Sequence, residues 1–284
     1  MLSYLKRKII WFLAEVIEQF GSKSINLIES EREVRELLKE IPSGRLEHYG
    51  FKVYSQNEED GIIREIFNRI GIENNTFVEF GVGHGNENNT AFLLRQGWKG
   101  LWIDGNPVSC KTIRKNYKVV IDSNMLTLHN SLVDCNNINS LIGGTFEGEI
   151  DLLSVDIDGN DLHVLKAINC INPRVIVAEY NAKFPPPTKW CLPYDASYVW
   201  DGTDNQGMSL QSIDDLAKEL GYELVATNIT GSNAFYVRKD LLKSSDGKEL
   251  FPFPHDTETL YNRPRYFLKF HSGHPGGRYI PSCD

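Results

Sequence analysis

Residues 76–104, TFVEFGVGHGNENNTAFLLRQGWKGLWID, have the pattern of a strand, a glycine turn, a helix and a second strand that ends in an acid. The first strand runs into Gly81, Gly83 and Gly85, which let the main chain turn sharply and approach a ligand closely. Asp104 follows about 20 residues after this turn, where a carboxylate can bind the hydroxyls of a ribose. The stretch therefore predicts a site for a nucleotide-type cofactor.

The residues of the turn favour one of two cofactor classes. A turn for NAD has the form G-x-G-x-x-G, and the helix N-terminus behind it holds a pyrophosphate. Here the turn is GVGHG, and Glu87 follows it, where an acid repels pyrophosphate. S-adenosylmethionine carries a positive sulfonium and an ammonium group, so that Glu79 is a favourable neighbour for it. We therefore expect S-adenosylmethionine, bound by Glu79, Gly81, Gly83 and Asp104.

The composition limits the class of partner. The chain has 284 residues and a net charge of −8. Binding of nucleic acid needs a basic surface, so we expect no nucleic acid and instead a small-molecule or glycan acceptor. The five cysteines are scattered and form no C-x-x-C pair. This pattern favours reduced thiols in a cytoplasmic protein over a disulfide framework or a zinc site.

Residues 1–50 are predicted to form a helical appendage. Apolar residues recur at helical spacing from Leu5 to Phe20, and charges interrupt them too often for a membrane span. We expect an amphipathic helix that packs on the core or on another subunit of a homo-oligomer, or that lies on the inner face of the membrane. Ser30 and Glu33 have the spacing of a capping box, which predicts the start of a second short helix.

Residues 51–240 are predicted to form one α/β domain. Strand-like and helix-like segments alternate there, which indicates a Rossmann-like, doubly wound and mostly parallel sheet of seven strands. The last two strands, at 223–227 and 234–238, are joined through Gly231 by a link short enough to require an antiparallel hairpin. Residues 241–284 are expected to form a loop-rich C-terminal extension.

Two neighbouring strands are each followed by acidic and polar residues. These are Asp156, Asp158 and Asp161 after one strand and Glu179, Tyr180 and Asn181 after the next. Ligands of open α/β sheets bind at the carboxyl ends of the strands, so we expect these side chains to converge. Acids packed together either share protons or bind a divalent cation such as Mg²⁺, Mn²⁺ or Ca²⁺.

The expected roles of these residues follow from their positions. Asp156 or Asp158 is our prediction for the general base, because a charge that follows an apolar strand is costly to bury without a function. A cation held by Asp158, Glu179 and Asn181 would orient an acceptor hydroxyl. Asp161 and Tyr180 are predicted to contact the substrate, although Asp161 also opens a helix and could simply cap it.

Further contacts are predicted from the flanking segments. Gln56 precedes the helix that leads into the first strand and is expected to contact the methionine end of the cofactor, whereas Ser55 and Glu58 form a capping box. Asn130 and Ser131 end the third strand and are candidates for the adenine edge. The long loop 183–209 is predicted to bind the acceptor, since long loops in compact domains are often functional. Its aromatic residues suit the apolar face of a sugar ring, and those selected are Trp190, Tyr194 and Trp200.

Several of these segments together resemble the FkbM-like group of class I S-adenosylmethionine methyltransferases. They are SQNEEDGII, FVEFGVGHGNENNT, LWIDGN, LLSVDIDGND, VIVAEYNA and GSNAFYV, and they extend from about residue 54 to residue 238. The resemblance implies the class I methyltransferase fold and O-methylation, often on the sugars of bacterial polysaccharides or glycosylated natural products.

The acids are also similar in placement to those of macrocin-type sugar O-methyltransferases, in which they hold a divalent cation. The pattern in that group is D-G-D followed by paired aspartates. This chain has DGND and then EYN, so one residue is inserted and one acid is replaced.

Other classes of protein remain open from the sequence alone. The Asp156-x-Asp158 pair could hold a metal and a sugar diphosphate in a glycosyltransferase, or could belong to a phosphatase of the haloacid-dehalogenase type. Both alternatives leave the glycine turn and Asp104 without a function. A methyltransferase fold that serves only as a binding or scaffold subunit is a third alternative.

Overall fold

The computed structural model describes residues 27–268, 270 and 279. The amphipathic helix predicted between Leu5 and Phe20 lies outside the described residues. Helix α1 covers residues 27–40, so Ser30 lies inside the helix rather than at its start. The capping box predicted from Ser30 and Glu33 is therefore wrong.

A seven-stranded sheet forms the centre of the described chain, in the order β3-β2-β1-β4-β5-β7-β6. The first five strands of this order are parallel, and β7 runs antiparallel to both β5 and β6. The strands are β1 Thr76–Phe80, β2 Lys99–Asp104, β3 Leu126–Asn130, β4 Gly148–Val155, β5 Ile171–Glu179, β6 Tyr222–Thr227 and β7 Asn233–Arg238. The predicted α/β fold with a C-terminal antiparallel hairpin is confirmed, and it is the class I methyltransferase topology.

Helices connect the strands and cover the sheet. They are α2 Glu59–Ile70, α3 Ala91–Arg95, α4 Pro107–Asn116, α5 Lys118–Asp122, α6 Ile138–Gly143, α7 Asp161–Ala167, α8 Leu210–Glu219 and α9 Thr257–Leu260. Helix α3 begins only at Ala91, because Asn88, Asn89 and Thr90 are used in hydrogen bonds around the glycine turn.

Apolar residues alternate along the strands and so cover both faces of the sheet. Phe77 and Leu152 belong to one buried cluster, whereas Val78 and Leu153 belong to the cluster on the opposite face. Successive side chains of a strand point to opposite faces, so strands buried on both faces need continuous apolar runs. The two cores hold the strand ends in a fixed register, and the polar residues that follow the strands are thereby brought to one edge.

The start of α2 differs from the predicted capping box. Glu58 is the residue before the helix, but its side chain makes no capping bond. Its Oε1 instead accepts the main-chain N–H of Ile229 at 2.6 Å. Ser55 accepts the N–H of Asp60 at 3.2 Å, and the Asp60 carboxylate accepts three main-chain N–H groups of residues 53–55. The acids of this segment thus fold the loop in front of the helix.

Two further observations concern the class of protein. Among the residues that the structure describes, no helix combines the length and the apolar character needed to cross a bilayer. Four cysteines fall in the described range, at 110, 135, 170 and 191, and each is a free thiol. The absence of disulfides at these four positions agrees with the expectation of reduced thiols.

Candidate active site

The glycine turn after β1 packs directly against the end of β4. Gly81 has φ +81°, and a β-carbon built on it would lie 1.4 Å from the carbonyl oxygen of Asp156. Only glycine fits this approach, because any side chain would overlap the main chain of the neighbouring strand. Strands β1 and β4 are neighbours at the point where the strand order reverses, which is where open α/β sheets bind their ligands.

Asp104 fixes the shape of the glycine turn. Its Oδ2 accepts the N–H of Gly83 at 2.7 Å and its Oδ1 accepts the N–H of Asn106 at 2.7 Å. Each carboxylate oxygen has two acceptor positions, so one on each oxygen remains for the hydroxyls of a ribose. The pKa of Asp104 is raised by burial, and the two main-chain hydrogen bonds offset only part of this effect. The turn and the acid are thus assembled before a ligand enters.

Asn130 and Ser131 lie beside Asp104 at the end of β3. The Asn130 amide and the Ser131 N–H both donate to the carbonyl oxygen of Asp104, at 2.9 and 3.0 Å. The structure therefore groups these two residues with Asp104. Their contact with adenine stays a prediction.

Glu79 is buried beneath the turn rather than exposed in a cleft. Its carboxylate accepts the N–H of Asn89 at 2.9 Å and the N–H of Thr90 at 3.2 Å, and it also accepts the Thr90 hydroxyl. These bonds connect the end of β1 to the segment before α3. Glu79 is thus placed to support the glycine turn, and its predicted contact with the cofactor remains a prediction.

Three carboxylates converge where β4 and β5 end. Asp156, Asp158 and Glu179 are half-buried, and each offers an oxygen within 4.8 Å of those of the other two. Asp158 has φ +57°, a left-handed conformation that is uncommon for a residue with a side chain. Strained residues of this kind concentrate at functional sites. The convergence of acids predicted from the sequence is present, and Asp156 belongs to it together with the two predicted ligands Asp158 and Glu179.

Burial and mutual repulsion determine the charge state of this trio. Burial, followed by the charges of Asp158 and Asp161, raises the pKa of Asp156 well above its ordinary value. Burial, followed by the charge of Asp156, raises the pKa of Glu179 in the same way. A hydrogen bond joins the Asp156 and Glu179 side chains. Burial and mutual repulsion thus favour one shared proton, or a bound cation, over two full negative charges.

Two residues predicted to contact the substrate point elsewhere. Asp161 is completely buried, and it accepts the N–H groups of Ile157 and Gly159 at 2.7 and 2.8 Å. It therefore caps the loop after β4. Tyr180 is 1% exposed and donates its hydroxyl to the carbonyl of Asn262 at 2.9 Å. Neither residue is among the described residues that line the cleft. Tyr180 is directed away from it because it follows Glu179 on the opposite face of the strand.

Asn181 lines the cleft and also holds the acceptor loop. Its side-chain nitrogen donates to the carbonyls of Asp204 and Gln206, at 2.9 and 3.2 Å. Its side-chain oxygen accepts the N–H of Lys183 at 3.2 Å. One acceptor position remains on this oxygen, and the role of Asn181 as a metal ligand stays a prediction.

A cleft of about 1140 Å³ opens above the strand ends. The sequence-predicted residues that line it are Gln56, Gly81, Asp156, Asp158, Glu179, Asn181 and Trp200. Trp190 instead stacks on Phe184 at 4.4 Å, and Tyr194 contacts His163 edge-on at 5.5 Å. Neither is among the described residues that line the cleft, since Trp190 packs within the loop 183–209 and Tyr194 packs this loop against α7.

Sequence reasoning missed several residues of the cleft. They are Lys52, Asn57 and Glu87, which lie before α2 and after the glycine turn, and Ser232 of the β6–β7 turn. The predicted acceptor loop 183–209 also reaches the cleft, through Lys183, Gly202, Thr203, Asp204 and Gln206. The C-terminal extension adds Pro264, Tyr266, Leu268 and Phe270. No local pattern marks the last group, because its place over the site depends on contacts with residues far away in the chain.

The positive charges of the cleft are already neutralised. Lys52 lies 3.7 Å from Glu87, and Lys183 forms an ion pair with Asp204. Asp156, Asp158 and Glu179 therefore have no lysine partner among the described residues that line the cleft. A cluster of this kind favours a positively charged ligand, whether an organic cation or a metal ion.

A family profile described as the methyltransferase FkbM domain matches residues 64–224 of this chain. The match includes the glycine turn, Asp104 and the three carboxylates. A search of curated protein sequences found no match.

Three solved structures with a similar fold are distant in sequence from this chain. An O-methyltransferase family protein from Burkholderia thailandensis is 13% identical with a TM-score of 0.39, and the alignment covers 63% of this chain and 58% of that one. This chain thus spans less than two thirds of that protein. A methyltransferase from Clostridium acetobutylicum is 14% identical with a TM-score of 0.38, over 61% and 87% of the two chains. The magnesium protoporphyrin IX methyltransferase of Synechocystis is 11% identical with a TM-score of 0.39, over 63% and 77%.

Proposed function

This chain belongs to the methyltransferase FkbM family of S-adenosylmethionine-dependent methyltransferases, and we propose that it transfers the methyl group to a hydroxyl of a sugar or glycan precursor. The observation that carries the proposal is the trio of Asp156, Asp158 and Glu179 beside the glycine turn. Among the residues that the structure describes, no lysine of the cleft pairs with the trio, so it can take up a proton or bind a cation where an acceptor hydroxyl would lie.

The residues around the turn fit the cofactor. S-adenosylmethionine, when bound, supplies a methyl group that is already activated on a positively charged sulfur. A β-carbon at Gly83 would meet no atom within 4 Å, so this part of the turn is open to a ligand. Asp104 keeps an acceptor position on each oxygen for ribose hydroxyls. The acids of the cleft favour the positive end of the ligand.

Asp156 is our choice for the general base. It takes the proton that the acceptor hydroxyl loses as its oxygen bonds to the methyl carbon and the sulfur–carbon bond breaks. A base works best when its pKa lies near the working pH, and burial and neighbouring charge raise the pKa of Asp156 in that direction. Its main-chain contact with Gly81 fixes its distance from the cofactor turn.

A divalent cation fits the same trio. Asp156, Asp158 and Glu179 supply the oxygen ligands that Mg²⁺, Mn²⁺ and Ca²⁺ prefer, and their oxygens are already close enough to meet one ion. Such an ion would orient the acceptor hydroxyl and lower its pKa. Binding would displace the proton shared by Asp156 and Glu179, so we expect affinity to rise with pH.

Transfer of tritium from methyl-labelled S-adenosylmethionine tests the proposal. We expect label in methyl glycosides or glycan fragments, loss of labelling with EDTA, and recovery with Mn²⁺ or Mg²⁺. Asp156→Asn should keep its affinity for S-adenosylhomocysteine and lose methyl transfer. A wild-type protein that does not bind S-adenosylhomocysteine in calorimetry would contradict the methyltransferase assignment. Labelling that is insensitive to EDTA would contradict only the proposed role of a cation.

The family match argues against the glycosyltransferase and phosphatase alternatives. The binding-subunit alternative predicts affinity for S-adenosylhomocysteine without turnover. The same labelling experiment separates it from an enzyme.

A further inference from the structure

Residues 261–268 of the C-terminal extension form part of the wall of the cleft. We call this segment the strap. The strap lies outside residues 64–224, the part of the chain that matches the family profile. It follows α9, and its residues 264, 266 and 268 line the cleft that holds the acidic trio. A wall of the site thus comes from a part of the chain that the family comparison does not cover.

Hydrogen bonds attach the strap to both sides of the cleft. On the β5 side, Tyr261 donates to the carbonyl of Ala182 at 2.6 Å and Asn262 accepts the Tyr180 hydroxyl at 2.9 Å. On the side of the β6–β7 turn, the Arg265 N–H donates to the carbonyl of Thr230 at 2.9 Å. The strap is therefore held by long-range contacts rather than by its own secondary structure.

Gly231 shows how closely the strap is seated. Its φ is +75°, and a β-carbon there would lie 2.8 Å from the carbonyl oxygens of both Asn262 and Arg263. The β6–β7 turn thus leaves room for the strap only because position 231 has no side chain. Leu268 anchors the far end of the strap and is 3% exposed.

Tyr266 is the residue of the strap that combines an exposed aromatic ring with a place in the cleft. It is 57% exposed, and it lines the cleft together with Glu179 and Trp200. A phenol hydroxyl keeps its proton at neutral pH, so Tyr266 can donate a hydrogen bond, while its ring offers an apolar face.

We propose that Tyr266 is an acceptor-binding residue, and that the strap forms the wall of the site that selects a polyhydroxylated ring. The inference rests on the proposed function for the position of the acceptor. The Tyr266 hydroxyl would donate to an acceptor oxygen beside Glu179, and its ring would cover the apolar face of the sugar. Trp200 lines the same cleft from the loop 183–209 and is 46% exposed, so aromatic surface is available from two separate segments.

Three variants test this role. Tyr266→Phe removes the donor and keeps the ring, and Tyr266→Ala removes both. Phe267→Ala is the matched control, because Phe267 is the adjacent aromatic, is 63% exposed and is not among the described residues that line the cleft. All three should show similar unfolding temperatures, because neither exposed ring is part of a core.

The measurements are the acceptor KM, the affinity for S-adenosylhomocysteine, and the binding of the methyl glycosides of glucose, galactose, mannose and rhamnose by ligand-observed NMR. We expect Tyr266→Ala to raise the acceptor KM roughly 10-fold or more and Tyr266→Phe about 5-fold. Affinity for S-adenosylhomocysteine should stay within about twofold in every variant, and Phe267→Ala should match the wild type.

Distinct outcomes overturn distinct statements. If Tyr266→Ala binds sugars as Phe267→Ala does, or if it loses S-adenosylhomocysteine affinity instead, the role of Tyr266 is refuted. A wild-type protein that binds none of the four glycosides also refutes the proposed selection. If the wild type binds a glycoside through Tyr266 but transfers no methyl group, the strap assignment stands and the proposed function fails.

Discussion

Gly81 and Asp156 meet through their main chains: a β-carbon at position 81 would lie 1.4 Å from the carbonyl oxygen of residue 156. This contact connects the turn expected to hold the cofactor with the residue expected to act as base. The distance between the two parts of the site is thus set by main chain, which side-chain motion cannot change. Strain at either residue is therefore expected to affect the other.

Substitution of Gly81 tests this relationship. Gly81→Ala combines a left-handed φ with overlap against a β-strand, so we expect a loss of stability of about 3 kcal/mol or more and loss of S-adenosylhomocysteine binding. Gly83→Ala is the control, since it has φ +51° and open space around its β-carbon. It should cost only about 1 kcal/mol, from the left-handed conformation. Urea unfolding that gives equal losses for both variants would contradict the packing described here.

Substitution of Asp104 is expected to abolish cofactor binding, whereas substitution of Asp156 is expected to reduce turnover. Asp104→Ala removes the acceptor for Gly83 N–H and the proposed ribose ligand, so calorimetry should detect no binding of S-adenosylhomocysteine. Asp156→Asn should bind it within about twofold of the wild type but lose roughly 100-fold or more in turnover, the typical contribution of a general base. Asp122→Ala, at an exposed carboxylate on α5, serves as the control for loss of charge. Unchanged cofactor affinity in Asp104→Ala would show that the ribose lies elsewhere.

Mn²⁺ binding by variants of the trio and of Asn181 tests which of these side chains are metal ligands. We expect Asp158→Asn and Glu179→Gln to weaken Mn²⁺ binding by about 10-fold or more, because each removes a charged ligand. Asn181→Ala should leave Mn²⁺ affinity within about twofold, since its amide is bonded to the loop carbonyls of Asp204 and Gln206. The same variant should increase proteolysis within 183–209. Loss of Mn²⁺ binding in Asn181→Ala would show that Asn181 is a metal ligand.

Calorimetry at pH 6 and pH 8 should show tighter Mn²⁺ binding at the higher pH in the wild type. The pKa values of Asp156 and Glu179 are raised, so protons must leave these acids before the ion binds.

The sequence predicts the sheet well because apolar runs and short links are local signals. The hairpin through Gly231 is one example, and the convergence of Asp156, Asp158 and Glu179 after β4 and β5 is another. Side-chain direction is harder to predict. Glu179 and Tyr180 are adjacent, yet one lines the cleft and the other is buried, as the two-residue period of a strand requires. Applied at the strand end, that period would have excluded Tyr180.

Other features of the site depend on contacts that no local pattern encodes. Asn181 is hydrogen-bonded to the loop 183–209, and only the path of that loop shows this contact. The strap has no regular spacing of apolar residues, and its position follows from hydrogen bonds to Ala182 and Thr230 far earlier in the chain. A sequence with many prolines and few periodic residues gives no signal of such a wall.

Glu58 gives the protein a stability that depends on pH. It is fully buried next to Glu59, and burial together with that neighbour raises the pKa of Glu58 to about 8 from an ordinary value of 4.5. The folded state therefore binds a proton that the unfolded state has released between these two values. Stability from this group is complete below about pH 4.5, falls as pH rises toward 8, and is constant above it, with a slope of about 1.4 kcal/mol per pH unit.

Glu58→Gln should remove this contribution to the slope. The amide oxygen can still accept the Ile229 N–H, and no charge is buried at any pH, so the variant should gain stability over the wild type as pH rises from 5.5 to 8.5. Urea unfolding at pH 5.5, 7 and 8.5 measures the difference, with Glu258→Gln at an exposed position as the control. Glu58 also connects α2 to the β6–β7 turn, against which the strap is seated. If the variant has the same pH slope as the wild type, another acid of this segment holds the proton.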